Sequence, residues 1–201
     1  MSWAPNEKKP MYNDPCRFSD TPYSINTEPS IEYCERVDFL HVSSIDREVE
    51  FYPKTSNYRY QFEDTFKNVK SIKLIGATIP NQNNILDNSS IILQIDEINH
   101  LNFSSNNINK GFAVMMLKGP SRPTDGFIVP EMACNLNSYV EFRTPLAKLN
   151  SFTINLTGID GQPIDFGESN GSLLKKDQNT LLFRIVTMEK NRDQLKHRNV
   201  Y

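Results

Sequence analysis

The sequence predicts an all-β protein: a two-sheet antiparallel β-sandwich, jelly-roll-like, with an extended N-terminal arm and a short C-terminal tail or helix. Three observations lead there. Over residues 39–187, apolar and polar residues alternate in short runs, the signature of strands with one buried face. Tyr58, Tyr60 and Phe62 interleaved with Arg59 and Gln61 are the plainest case. Between the runs lie clusters of Asn, Ser, Gly and Pro at 81–88, 104–109, 119–126 and 167–171, which is turn and loop chemistry. Helical periodicity is weak throughout, and its best segment, 188–197, comes only at the end. About seven to nine short strands in a segment of this length indicate two packed sheets.

Residues 1–38 read as the arm. They hold five of the twelve prolines, Pro5, Pro10, Pro15, Pro22 and Pro29, and no alternating apolar pattern links them. Prolines at that density exclude a continuous helix or a central strand. Trp3, Tyr12, Phe18, Tyr23 and Tyr33 are scattered among them, although a purely disordered linker is poor in aromatics. The expectation is an arm that docks on a neighbour, with these five aromatics as its partner-binding residues.

The sandwich spans 39–187. Residues 40–45 are strand-like, and Pro53 followed by Asn57 marks a turn before the strand at 58–62. Phe66-Lys67-Asn68 reads as a link to a longer β-branched strand at 69–79, which Pro80-Asn81 ends. Ile91, Leu93 and Ile95 form a further strand, alternating with Gln94 and Asp96. The run 112–117 is continuously apolar, so both its faces should be covered. A short strand follows at 139–142. Phe152, Ile154 and Leu156 then alternate with Thr153, Asn155 and Thr157 and should share one buried face. Asp160-Gly161 predicts a tight turn with Gly161 at positive φ. Leu181, Phe183 and Ile185 form the last strand, and 188–201 is a charged tail.

Composition narrows the function. Twenty-two basic residues face 24 acidic ones, a formal net charge of −2, with no basic stripe, so direct nucleic-acid binding is not expected. No apolar run approaches the ~20 residues that cross a bilayer, and the first residues lack a signal-peptide core. Cys16, Cys34 and Cys134 fit neither a disulfide framework nor a zinc site, and read as reduced thiols of a cytosolic product. The four Asn-X-Ser/Thr triplets at Asn88, Asn102, Asn155 and Asn170 then have no route to glycosylation.

No phosphate-binding loop, zinc-protease motif or nucleophile elbow is present. Of the histidines, His41, His100 and His197, only His100 has a conceivable nucleophile in Cys134, and nothing local supports the pair. Asp96 and Glu97, read as strand residues, point to opposite faces and cannot act together. Asp160 and Asp165 are explained by turn chemistry before cation binding. The expectation is therefore no catalytic, metal-binding or cofactor-binding residue, and no enzyme. The alternative is a carbohydrate-binding sandwich, for which Phe127 and Tyr139 are the loop-side aromatics.

Three stretches carry a resemblance. They are 42–60, with Val42-Ser43-Ser44-Ile45-Asp46-Arg47-Glu48 and Phe51-Tyr52-Pro53-Lys54; 66–81, with Ile72-Lys73-Leu74-Ile75-Gly76-Ala77-Thr78-Ile79-Pro80-Asn81; and 145–166, with Pro145-Leu146-Ala147-Lys148-Leu149-Asn150-Ser151-Phe152 and Asp160-Gly161-Gln162-Pro163-Ile164-Asp165-Phe166. In content and order this resembles a minor capsid protein family of nucleocytoplasmic large DNA viruses, over about residues 42–187. The resemblance implies a jelly-roll-like capsid component beneath or between major capsid subunits, without catalytic residues. Its implied partners are the major capsid protein and other minor capsid proteins, with a second copy of the chain as a further candidate. The implied place is the virion, assembled in the host cytoplasm, where peripheral contact with an internal membrane is left open.

Overall fold

The computed structural model describes residues 33–83, 85–103, 108–117, 126–132, 138–166 and 171–190. Among the described residues ten strands follow one another: β1 (Tyr33–Ser43), β2 (Asn57–Pro80), β3 (Ser90–Ile95), β4 (Leu101–Asn102), β5 (Lys110–Gly111), β6 (Ala113–Met116), β7 (Phe127–Ile128), β8 (Glu131–Met132), β9 (Tyr139–Thr157) and β10 (Thr180–Lys190). Their pairings are antiparallel. Eight strands form one sheet whose main path runs β1-β10-β2-β9-β3-β6-β8, with β7 attached to β2, and β4 and β5 form a small second sheet. The all-β sandwich is thus the observed architecture.

A single sheet becomes two layers because β2 and β9 are long and bend. The start of β2 pairs with the end of β9, Asn57 opposite Asn155 and Gln61 opposite Ser151, while its later part pairs with the start of β9 and with β10. Register shifts lie between Gln61 and Phe66 and between Val69 and Ser71, and Asn68 sits at φ 52° beside the second. Bulges of this kind bend and twist a strand, which lets the sheet curl over its own apolar face. The faces meet through aromatic rings: Phe152 stands 4.9 Å from Phe62 and 5.0 Å from Phe183, and Phe183 stands 6.0 Å from Phe112, centroid to centroid. Phe152, Ile154 and Leu156 are all fully buried there, as their alternation predicts, while Thr153 and Asn155 are half-exposed.

Four expectations about elements need correction. The runs at 58–62 and 69–79 are one strand, and Phe66-Lys67-Asn68 lies inside it rather than linking two; 139–142 and 152–156 are likewise one strand. The exposed polar segments Glu63-Asp64-Thr65 and Arg143-Thr144, which carry no buried face, remain extended where the two strands pass the edge of the core. Residues 33–38, assigned to the arm, are the first half of β1. Met188, Glu189 and Lys190, assigned to the tail or helix, complete β10, so the sandwich runs from 33 to 190. Finally, β6 is covered on one face only: Ala113 and Met115 are buried, Met116 exposed.

The turn at 158–162 is as expected. Gly161 N–H donates to the Gly158 carbonyl at 3.0 Å, Gly158 N–H to the Gln162 carbonyl at 2.9 Å, and Gly161 has φ 78°. This is a three-residue hairpin loop ending in a left-handed residue, a position glycine fills without strain. Asp160 Oδ1 accepts from Gln162 N–H at 3.0 Å, which accounts for that aspartate as turn chemistry.

Beyond the end of β1 the chain is locked by a buried polar junction. Arg47, 4% exposed, donates to the carbonyls of Ser44, Tyr52, Pro53 and Ser172 and to Gln178 Oε1, at 2.7–3.2 Å. Tyr58 donates its hydroxyl to Asn179 Oδ1 at 2.8 Å, and burial pushes its phenol pKa up. These bonds tie the segment after β1 to the segment before β10, and so hold the two partners of the sheet edge in register.

Candidate functional site

Of the five aromatics expected to bind a partner, Trp3, Tyr12, Phe18 and Tyr23 lie outside the described residues, and Tyr33 opens β1. That strand ends the sheet path, so one of its sides carries β10 and the other is unpaired among the described residues. Its orientation follows from one bond. Ser44 N–H donates to the Asn179 carbonyl at 3.0 Å, and the ladder runs without a shift from Ser43 opposite Thr180 to Tyr33 opposite Lys190. In an antiparallel ladder, backbone groups alternate between the two sides. Even-numbered residues of β1 therefore turn N–H and C=O toward β10, and Tyr33, Glu35, Val37, Phe39 and His41 turn theirs to the open side.

Side chains alternate as well. Val42 enters the core and Leu40 packs against it, so the even-numbered side chains face inward and the odd ones outward. On the outer face Tyr33 is 50%, Val37 41% and Phe39 65% exposed, a row of apolar groups along an open edge. Natural edge strands are commonly short, charged, bulged or covered, because an open edge pairs with other chains. β1 has eleven residues with no register shift.

Charges frame this edge. Arg36 donates to Asp38 Oδ1 at 3.1 Å and to Glu189 Oε1 at 3.0 Å, and Glu189 followed by Asp38 holds its guanidinium above its ordinary pKa. Lys70 bonds Glu35 across β10 and lies 3.9 Å from Glu141; Lys70 holds the Glu35 carboxyl below its ordinary pKa. Beside the edge is a groove of about 930 Å³ lined by Arg36, Asp38, Asp64, Lys67, Glu189 and Lys190, among others. A second recess of about 670 Å³ sets Phe51, Tyr52 and Tyr60 among Asp46, Glu48 and Glu63; burial first, then the two carboxylates Asp46 and Glu63, raises the Tyr60 pKa.

Residues 34–141 match a family of unknown function (DUF5901). The chain belongs to that family. The DUF5901 segment opens one residue into β1 and closes inside β9, so it contains the edge strand and the first half of the sandwich. No curated protein matches the chain.

The chemistry weighed from the sequence is dispersed. His100 packs edge-on against Phe112, centroids 5.4 Å apart, and neither ring nitrogen has a hydrogen-bond partner. Burial lowers its pKa, while a contact with the Ile98 backbone, outside hydrogen-bonding geometry, acts the other way. Cys134 lies outside the described residues, and Cys34 is a free, exposed thiol on β1. Asp96 and Glu97 are not in a strand: they form the turn after β3, and both carboxylates reach β9. Glu97 accepts from Thr153 N–H at 2.9 Å and from its hydroxyl at 2.9 Å, and Asp96 accepts from Asn155 at 3.4 Å. Among the described residues, no three His, Cys, Asp or Glu side chains converge as metal ligands, and no helix is long and apolar enough to cross a membrane. Phe127 pairs with Pro80 and Tyr139 with Lys73, seven positions apart along β2, and Tyr139 is half-buried with its hydroxyl on Glu141.

The edge itself was not legible in the sequence. Alternation marks a strand, but only the pairing of β1 with β10 and with nothing else among the described residues shows that one side is open.

Proposed function

We propose that the chain is a structural, protein-binding member of an assembly, a minor capsid component that cements capsid subunits through its sandwich surface and its N-terminal arm. The observation that carries the docking role is the outer side of β1, eleven residues long and open among the described residues, with Tyr33, Val37 and Phe39 exposed beside backbone groups that no described strand pairs. The proline- and aromatic-rich residues 1–32 lead directly into that strand. The resemblance of residues 42–187 to minor capsid proteins supports the choice of assembly, with the major capsid protein and other minor capsid proteins as partners in the virion. Strand addition at an open edge suits such a role, because backbone bonds supply affinity and alternate side chains supply specificity. Mass spectrometry of purified particles of the source virus tests the reading. The chain should be recovered in stoichiometric proportion to a capsid subunit, and its absence from particles overturns the proposal.

A further inference from the structure

We infer that the partner at the open side of β1 is a second copy of this chain, paired antiparallel about a two-fold axis at Val37. The inference deepens the docking role proposed above and rests on it. Only odd-numbered residues of β1 offer backbone groups to the open side. An antiparallel partner must therefore set odd residues opposite odd ones, and the two-fold axis must pass through a residue, not between two.

Among the three axes nearest the charged pair, charge then selects the residue. An axis at Asp38 would set Asp38 against Asp38, and an axis at Arg36 would set Arg36 against Arg36; like charges directly opposite each other destabilise a sheet. An axis at Val37 sets Arg36 opposite the partner's Asp38, and Asp38 opposite the partner's Arg36. Within one chain Arg36 already bonds Asp38 at 3.1 Å. The two-fold axis closes these four groups into a ring of alternating sign, each arginine between its own aspartate and its partner's. The arginine side chain is 60% exposed, so it is reachable.

The same register brings Val37 against Val37, Tyr33 against His41 and Cys34 against Leu40. It covers the exposed Tyr33 and Val37 of both copies and gives the outward N–H groups acceptors. The two sheets become one through β10-β1-β1-β10. Such an interface is isologous and closed, so it gives a dimer and not a fibre.

Sedimentation of the full chain tests this at up to ~100 μM, where an interface of micromolar affinity is saturated. The expected species is a dimer. Arg36→Asp puts four carboxylates at the axis and should weaken the dimer by at least ~10-fold, one decade being 1.4 kcal/mol. Arg36→Asp with Asp38→Arg restores the alternation and should recover most of the loss. Val37→Pro removes an outward N–H but no bond to β10, so it should abolish the dimer while keeping the thermal transition; it is decisive if Arg36→Asp fails to fold. Amide exchange should show the Tyr33, Val37 and Phe39 N–H groups protected in the dimer only. A monomeric full chain overturns the inference, including one that dimerises only once residues 1–32 are removed, because the arm then owns the edge. A dimer indifferent to these variants overturns it equally. A chain absent from particles yet dimeric through β1 keeps this inference and loses the capsid reading.

Discussion

At the scale of single residues, burial followed the alternation where the side chains are apolar, and departed from expectation where they are polar. Ile154 and Asn155 are neighbours, one fully buried and one half-exposed. Ile154→Ala should lower stability by about 2–5 kcal/mol, and Asn155→Ala by less than about 1 kcal/mol, measured by chemical denaturation. Arg47 shows what the pattern hides. An arginine in a turn region reads as a surface group, yet this one serves five acceptors from inside the fold. Each buried acceptor left unmatched costs about 1–3 kcal/mol, so Arg47→Met should cost more than about 3 kcal/mol despite its similar length. His100 makes a pH prediction. Its folded pKa is depressed below the ordinary 6.5 by burial. Between the folded value and 6.5 the unfolded chain binds more protons than the folded one, so stability rises with pH across that window and is lost as pH falls below about 6.5. Replacing His100 by Phe should flatten the slope of melting temperature against pH on the acid side; an unchanged slope would assign it to other groups.

At the scale of elements, the strands were legible and their ends were not. Glu63-Asp64-Thr65 carries turn-like chemistry, but a long strand leaving the core also shows polar residues on both faces, and sequence does not separate the two cases. Asn68 gives that passage its geometry. It holds φ 52°, a region asparagine tolerates and β-branched residues do not. Asn68→Gly should be close to neutral, and Asn68→Val should cost about 1–3 kcal/mol, the range for strain of this kind. A melt that ranks the two variants the other way would place the bend elsewhere. β1 was misread for a related reason. Its first five residues, Tyr33 to Val37, are exposed on both faces, so no buried stripe distinguishes them from the arm, and the membership of β1 in the sheet follows only from eleven pairings with β10. A stretch of strand with one neighbour among the described residues and no covered face leaves little hydrophobic signal, although it is the part with most to offer a partner.

For the whole molecule, the decisive boundary lies between the arm and β1. Residues Glu32–Tyr201 cluster as one compact unit. Removing 1–32 should therefore leave the melting temperature essentially unchanged. Removing 1–38 takes away half of β1, strips β10 of six pairing positions and uncovers its backbone, so that truncation should melt lower and aggregate through the newly opened edge. Trypsin gives the same boundary independently. The bonds after Lys8 and Arg17 should be cut in the free protein, whereas Arg36, inside the ladder and bonded to Asp38 and Glu189, should resist until global unfolding. The two truncations then separate fold from function. If the arm's aromatics seat on another capsid subunit, the 1–32 deletion should fold and dimerise as the full chain does but enter particles poorly, and the sites at Lys8 and Arg17 should be protected in particles that contain the full chain. Equal incorporation of the 1–32 deletion would show that the arm contributes nothing to docking and that the sandwich, with its open edge, carries the whole of it.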